Sequence, residues 1–445
     1  MANRFVLQIS IGLLLALMIS CGSNSVQESA PPAPTAAVQK SDGTTSSAIQ
    51  PSEPLIASID RLDLVAQRQI QQYLGKLAAA GFAPTRQGVW MQTETSLLAN
   101  HQGTVPLPAA SLTKVATSLA ALQTFGADHQ FVTLIGRTGT LTNGVLQGDL
   151  VVQGSGDPLF VWEEAIVLGN ALNQLGIRQV TGNLIVLDKF YMNYEQSLQK
   201  SGELLKQGLN AALWPEEATS QFQTLPGGTL RPQVTIQGSV KVATVAPAQT
   251  PLLRHHSLPV AELLKKMNQY SNNLMAEMMA EAVGGAKVVE QKVVQAVGTP
   301  ADEIHLINGS GLGEENRISP RTVCAMFRAI ERLLKPAQMT IGDVFTIVNQ
   351  DEGILNERKI PALSVVKSGS LNAVSALAGA LPTQQQGTVW FVIINGGDNL
   401  EGFRAEQEAL LRTFSQQWGA ARSLPPELSP NLDRRSKTSR NEIIK

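Results

Sequence analysis

Two cysteines and five histidines in 445 residues already exclude several kinds of protein. Cys21 and Cys324 cannot build a disulfide framework. Cys324 sits in the amphipathic stretch RTVCAMFRAIERLL, where a buried thiol is expected. His101, His129, His255, His256 and His305 form no HExxH pair and no Cys/His cluster, so no metal site and no cofactor is expected. Charge is also scarce: 16% of residues are charged and the net charge is −1, so no overall field draws the chain to nucleic acid. What is plentiful is apolar surface. Hydrophobic residues make up 43%, which reads as a globular protein of two domains, or of one domain with a large insert.

The first apolar run is MANRFVLQISIGLLLALMISC, with Arg4 before it and Ser20 then Cys21 at its end. That is the layout of an export signal over residues 1–21. The closing cysteine resembles a bacterial lipoprotein signal, in which Cys21 would become the lipidated first residue and tie the protein to the membrane. Met18 stands where leucine is usual. A simple cleaved signal and an uncleaved anchor are the other readings. All three send the chain out of the cytoplasm, to a periplasm or cell envelope. Residues 22–54 are rich in Ser, Pro, Ala, Thr and Gln and cannot bury a core. They read as a disordered tether, or equally as a leftover disordered end.

The ordered body is expected from about residue 55. IDRLDLVAQRQIQQYLGKLAAAG reads as a helix ending at Gly81, and GVWMQTETSLLANHQG as a hairpin. Residues 130–250 are strand-like, with one helix near EEAIVLGNALNQLG, and read as an inserted, mostly β domain. Helical patterns return from Leu263, and two late strands (ALSVVKSGSL, TVWFVIINGG) precede a closing helix. Segments 55–129 and 251–420 therefore form one discontinuous domain around the insert. The last stretch, 421–445, is a polar tail with clustered Arg and Lys. It reads as a solvated end, with contact to an anionic surface as the alternative.

PLPAASLTKVATSLAALQTFG, residues 106–126, opens a buried helix on Ser111 and places Lys114 one turn later. Ser111 is either a cap beside an incidental charge or a nucleophile beside its base. Ser-x-x-Lys alone is a poor signal, because Ser197/Lys200 and Ser364/Lys367 share it. Lys-Ser-Gly also occurs twice, and Ser-x-Asn several times, including Ser271–Asn273, Ser370–Asn372 and Ser429–Asn431. Serine acyltransferases of the penicilloyl type need Ser-x-x-Lys, Ser-x-Asn and Lys-Thr/Ser-Gly in that order. Ser111 opens an apolar helix, whereas Ser197 lies in the polar run YEQSLQKSGELLKQG. Ser271 falls between two helical patterns and would cap their junction. Lys367 follows an apolar strand and Lys200 does not. One ordered set survives: Ser111/Lys114, Ser271/Asn273 and Lys367/Ser368/Gly369.

These motifs, with GDLVVQGSGDP, RHHSLPVAELLKKMNQYSNNLMAEMM, NGSGLGEENRISP and VVKSGSLNAVSALAGAL, resemble the low-molecular-mass class C penicillin-binding proteins. These are D-alanyl-D-alanine carboxypeptidases and endopeptidases, and the likeness runs over about residues 56–420. The resemblance implies an α+β fold of the penicillin-binding-protein/β-lactamase-like transpeptidase type. That is an antiparallel sheet with helices on both faces, here with an inserted mostly β domain. It implies peptidoglycan stem peptides and β-lactams as ligands. It also implies Ser111 as nucleophile, Lys114 as base, and Ser271 and Asn273 as proton shuttle and peptide ligand. Lys367 and Ser368 would hold the substrate carboxylate, Gly369 would let the substrate backbone approach, and the amides of Ser111 and Ser370 would form the oxyanion hole. Several blocks depart from the family: Ser368 replaces the commoner threonine, Asn272 and Asn308 stand where aspartate occurs, and EGILNER is a loose match. None removes a catalytic side chain. A β-lactamase and a wall-binding protein with a dead site are the rival readings.

Overall fold

The late apolar runs VVKSGSL, VSALAGALPT and TVWFVIING are strands Val365–Leu371, Val374–Thr383 and Gly387–Gly396. They are buried on both sides, which is why they read as near-continuous hydrophobic stretches. Alternate residues enter different cores: Val392 and Ile394 face one, Phe391 and Ile393 the other. These strands lie in a six-stranded sheet in the spatial order Thr346–Ile347, Val365–Leu371, Val374–Thr383, Gly387–Gly396, Gln87–Gln92, Leu97–His101. Every neighbouring pair is antiparallel. The expected hairpin thus joins the last long strand, with Trp90 opposite Val392.

This computed structural model describes residues 54–57 and 62–444. The expected signal, Cys21 and almost all of the tether lie outside them. Among the described residues no helix is long and apolar enough to cross a membrane. Helices Leu64–Ala79 and Leu400–Gln417 cover one face of the sheet. Helices Thr113–Phe125, Val260–Gln269, Asn273–Val283, Ala286–Val297 and Pro320–Leu334 cover the other. The Thr113 helix is buried on every side from Thr113 to Leu122, and its small Ala, Ser and Thr residues let neighbours approach closely. Gly126 stops it with φ +77°. Cys324 is buried in this layer, and burial pushes its thiol up to about 12, so it is inert.

Residues 130–250 carry more helix than their sequence suggests. Helices Leu198–Gly208 and Glu216–Phe222 accompany the expected one at Trp162–Gln174. The first was hidden because its buried face is made of Ser201, Gly202, Leu205 and Gly208 rather than a leucine stripe. Gly202 is needed there: a Cβ would sit 2.5 Å from Val240 Cγ1. Ser197 caps this helix, accepting from the Lys200 amide at 3.4 Å, so the second Ser-x-x-Lys is a helix start. The segment buries its own apolar cluster around Trp162, Leu184 and Leu205. Its main sheet is mixed, with Leu184–Lys189 parallel to both Leu150–Ser155 and Val240–Ala243.

That sheet also takes in the chain terminus. Arg440–Ile443 pairs antiparallel with Thr250–Pro259, setting Asn441 opposite His255. Two of the clustered basic residues, Arg434 and Lys437, are held rather than free: both reach Asp128, at 2.7 and 2.6 Å. His255 is buried at this seam. Its Nδ1 shares a hydrogen bond with Asn441 at 3.0 Å, and its Nε2 faces Asp157 and Glu164 at 3.8 Å each. Burial pushes the imidazolium down, but the two carboxylates outweigh it and raise His255 above its ordinary 6.5. The resulting stability is complete below the ordinary value and is lost as pH rises through the higher folded one. His255→Gln should cost about 3 kcal/mol at pH about 5.5, and less at high pH. Thermal unfolding of both proteins across that range checks it.

Candidate active site

Ser111 lies in the short 3-10 turn Ala110–Leu112 that leads into the Thr113 helix. Ala110 adopts a positive φ of 47°, which swings the chain from the preceding strand into the turn. No side chain caps this helix, so Ser111 does not serve as a cap. Its Oγ instead accepts from Lys114 Nζ at 2.9 Å. Lys114 has no exposed surface and makes two further bonds, to Asn273 Oδ1 at 2.7 Å and to the Ser310 carbonyl at 2.8 Å. The last two are acceptors only, while the serine hydroxyl can accept or donate. A neutral amine would donate to Asn273 and Ser310 and turn its lone pair to the Ser111 hydroxyl.

Asn273 is the first residue of its helix. The cap expected of Ser271 is supplied by Asn272, whose Oδ1 accepts from Met275 N at 3.0 Å. Ser271 sits in the left-handed region at φ 51°, at the junction with the Val260 helix, and is thereby aimed elsewhere. Its Oγ accepts from Lys367 Nζ at 2.9 Å. Lys367 is buried on the central sheet and also donates to the Ser368 carbonyl at 2.6 Å. Ser368 is buried beside it. Gly369 is where that strand presses on the Ser111 turn: a Cβ would stand 2.9 Å from Ser111 N. Ser370, exposed at the strand end, accepts from Arg404 Nη2 at 3.1 Å.

The three motifs, distant in sequence, therefore meet through hydrogen bonds. Two members of the rejected copies are engaged elsewhere: Ser364 Oγ bonds the Pro361 carbonyl, and Asn431 caps a turn at Asp433. Burial pushes the Lys114 ammonium down to about 7, and the Glu277 carboxylate opposes that fall. Burial also holds Lys367 well below the ordinary lysine range, and the Lys114 charge lowers it further. Two groups escaped the sequence reading, Glu277 and the Ser310 carbonyl. The spacing carried one usable signal: Glu277 follows Asn273 by four residues and so shares its helix face.

Residues 71–213 and 216–417 match the D-Ala-D-Ala carboxypeptidase 3 (S13) family. The chain belongs to that family. S13 members are serine D-Ala-D-Ala carboxypeptidases, and this chain is an enzyme of that class. It is 23% identical over 404 residues to D-alanyl-D-alanine carboxypeptidase DacB of Haemophilus influenzae, covering 68% of this chain and 83% of that protein. A carboxypeptidase of Mycobacterium tuberculosis is 25% identical over 368 residues, covering 72% and 76%. Among solved structures, the penicillin G-acylated predatory endopeptidase of Bdellovibrio bacteriovorus has a TM-score of 0.66 at 19% identity, covering 80% of this chain and 99% of that one. Penicillin-binding protein 4 of Haemophilus influenzae has a TM-score of 0.58 at 19% identity, covering 78% and 99%. At these identities the structures establish the S13 chain's fold: the α+β penicillin-binding-protein type, with helices on both faces of an antiparallel sheet.

Proposed function

We propose that this S13 enzyme is a penicillin-sensitive carboxypeptidase acting on peptidoglycan stem peptides through an acyl-enzyme at Ser111. The observation that carries the reading is the three-way grip on Lys114, whose free lone pair can point only at the Ser111 hydroxyl. Ser111 Oγ bonds to the carbonyl carbon of the penultimate D-alanine, and its proton passes to Lys114 Nζ. The amides of Ser111 and Ser370 hold the oxyanion, each worth about 3 kcal/mol. The C–N bond then breaks. The terminal D-alanine leaves as an amine, taking its proton through the Ser271 hydroxyl, while Asn273 holds the peptide. Water finally hydrolyses the ester, with Lys114 as base.

Lys367 and Ser368 bind the substrate's terminal carboxylate by charge-assisted hydrogen bonds. That carboxylate also decides which lysine is charged. Two buried ammonium groups acting on each other are costly, so charging both at once is disfavoured in the free site. An anion at Lys367 draws the charge there and leaves Lys114 as the free base that attack on the peptide requires.

Endopeptidase action on crosslinks is the second activity. A cavity of about 360 Å³ beside Asn272, bordered by Glu163, Tyr194, Glu217, Lys266 and Tyr270, supports this reading. Export and lipidation at Cys21 complete the reading, with the body tethered at the cell envelope. The test is product analysis on uncrosslinked and crosslinked muropeptides. Release of D-alanine by wild type and not by Ser111→Ala supports the proposal. Rapid penicillin turnover without D-alanine release favours the β-lactamase reading. Wall binding without either activity favours the dead-site reading.

A further inference from the structure

Lys114 leans on a main-chain atom, the Ser310 carbonyl, and that atom belongs to a loop that must itself be held in place. Glu277 does the holding. Its Oε2 accepts from Gly309 N and its Oε1 from Ser310 N, each at 2.9 Å. The same loop is gripped from the Ser111 side, where Thr117 Oγ1 donates to the Gly309 carbonyl at 2.7 Å. Asn308 Oδ1 closes it by accepting from Gly311 N at 2.8 Å. Gly311, at φ +84°, packs so tightly on Ala110 that a Cβ would overlap the Ala110 carbonyl. The loop thus touches both the turn that carries Ser111 and the amine beside it. Asn273 and Glu277, four residues apart on one helix, act on that amine directly and through the loop.

We propose that Glu277 is a positioning residue for the base: by clamping the Gly309 and Ser310 amides it fixes the Ser310 carbonyl against Lys114 and keeps the amine turned to Ser111. This rests on the Ser111/Lys114 reading above. A carboxylate in that position also has an electrostatic effect that a mere structural tie lacks. It favours the protonated amine against burial; the Lys114 charge in turn lowers Lys367 on the facing strand. Removing the negative charge, and with it the Ser310 acceptor, disfavours the ammonium on both counts. The pH at which Lys114 becomes free then falls. Glu281, one turn further along, is paired with Lys189 at 3.9 Å.

The test is the pH dependence of Ser111 acylation by a fluorescent penicillin, measured on the full chain. Glu277→Gln presents an NH2 group to one of two amides that need acceptors. It should acylate about 10-fold to 100-fold more slowly on the alkaline plateau, with its acid limb moved down by about one pH unit. Glu277→Asp keeps the charge but falls one methylene short of the amides. It should also be slow, with the limb where wild type has it. An unmoved limb in Glu277→Gln overturns the proposal whatever the rate, because a structural tie alone would slow the reaction without moving the limb. If Glu277→Gln does not fold, Glu277→Asp decides, and a wild-type rate in it overturns the proposal. Absence of an adduct in wild type would instead remove the Ser111 reading on which the proposal stands.

Discussion

Lys114→Met should lower the second-order rate of penicillin acylation by about 10⁴-fold, the upper range for loss of a general base. Nothing else in the described cluster can take the proton from Ser111. The hydroxyl is bonded to Lys114 Nζ, and Ser271 is already committed to Lys367. The variant should stay folded, because methionine fills similar volume and the cost of burying an ammonium goes with it. The pH profile sharpens the prediction. Burial puts the Lys114 ammonium at about 7, so wild-type acylation should rise with pH through that value as the amine becomes free. In Lys114→Met the remaining slow reaction should lose this limb. Stopped-flow acylation from about pH 5 to 9 measures both effects.

Lys367→Met should lower kcat/KM for peptides ending in D-Ala-D-Ala by about 10²-fold to 10³-fold, the scale of a buried charge-assisted contact to a carboxylate. Lys367 is buried on the central sheet and donates to Ser271 Oγ and the Ser368 carbonyl, so the third N–H of its ammonium can serve the substrate. The loss should depend on the substrate's own charge. A peptide ending in an amide instead of a carboxylate should already be poor for wild type and lose much less in the variant. Equal losses on both peptides would mean that Lys367 acts through Ser271 alone.

Much of this site is legible in the sequence, because each motif carries a structural requirement that can be read locally. An apolar helix opening on Ser111, a polar pause between two helices at Ser271 and an apolar run leading into Lys367 separate one set of motifs from its copies. The burial that lowers Lys114 follows from the same reading, since a lysine in the first turn of a buried helix has nowhere else to go. What stays hidden is main-chain chemistry. The Ser310 carbonyl has no side-chain signature, and Glu277 matters only because the fold brings the Gly309 and Ser310 amides to it. Exchange of the cap from Ser271 to Asn272 is a matter of one residue's φ, below what residue type can report. The fold shows the same division. Strands buried on two faces announce themselves by unbroken apolar runs, whereas the Leu198–Gly208 helix hides behind a face of serine and glycine. The Arg440–Ile443 strand looks like loose charge until its partner Thr250–Pro259 is in view.

The most direct measurement is to incubate the protein with a labelled penicillin, digest it and locate the adduct by mass spectrometry. The account predicts one penicilloyl group on the peptide that contains Ser111, and none in Ser111→Ala. A label that persists in Ser111→Ala, or a folded wild type that takes up none, would contradict it.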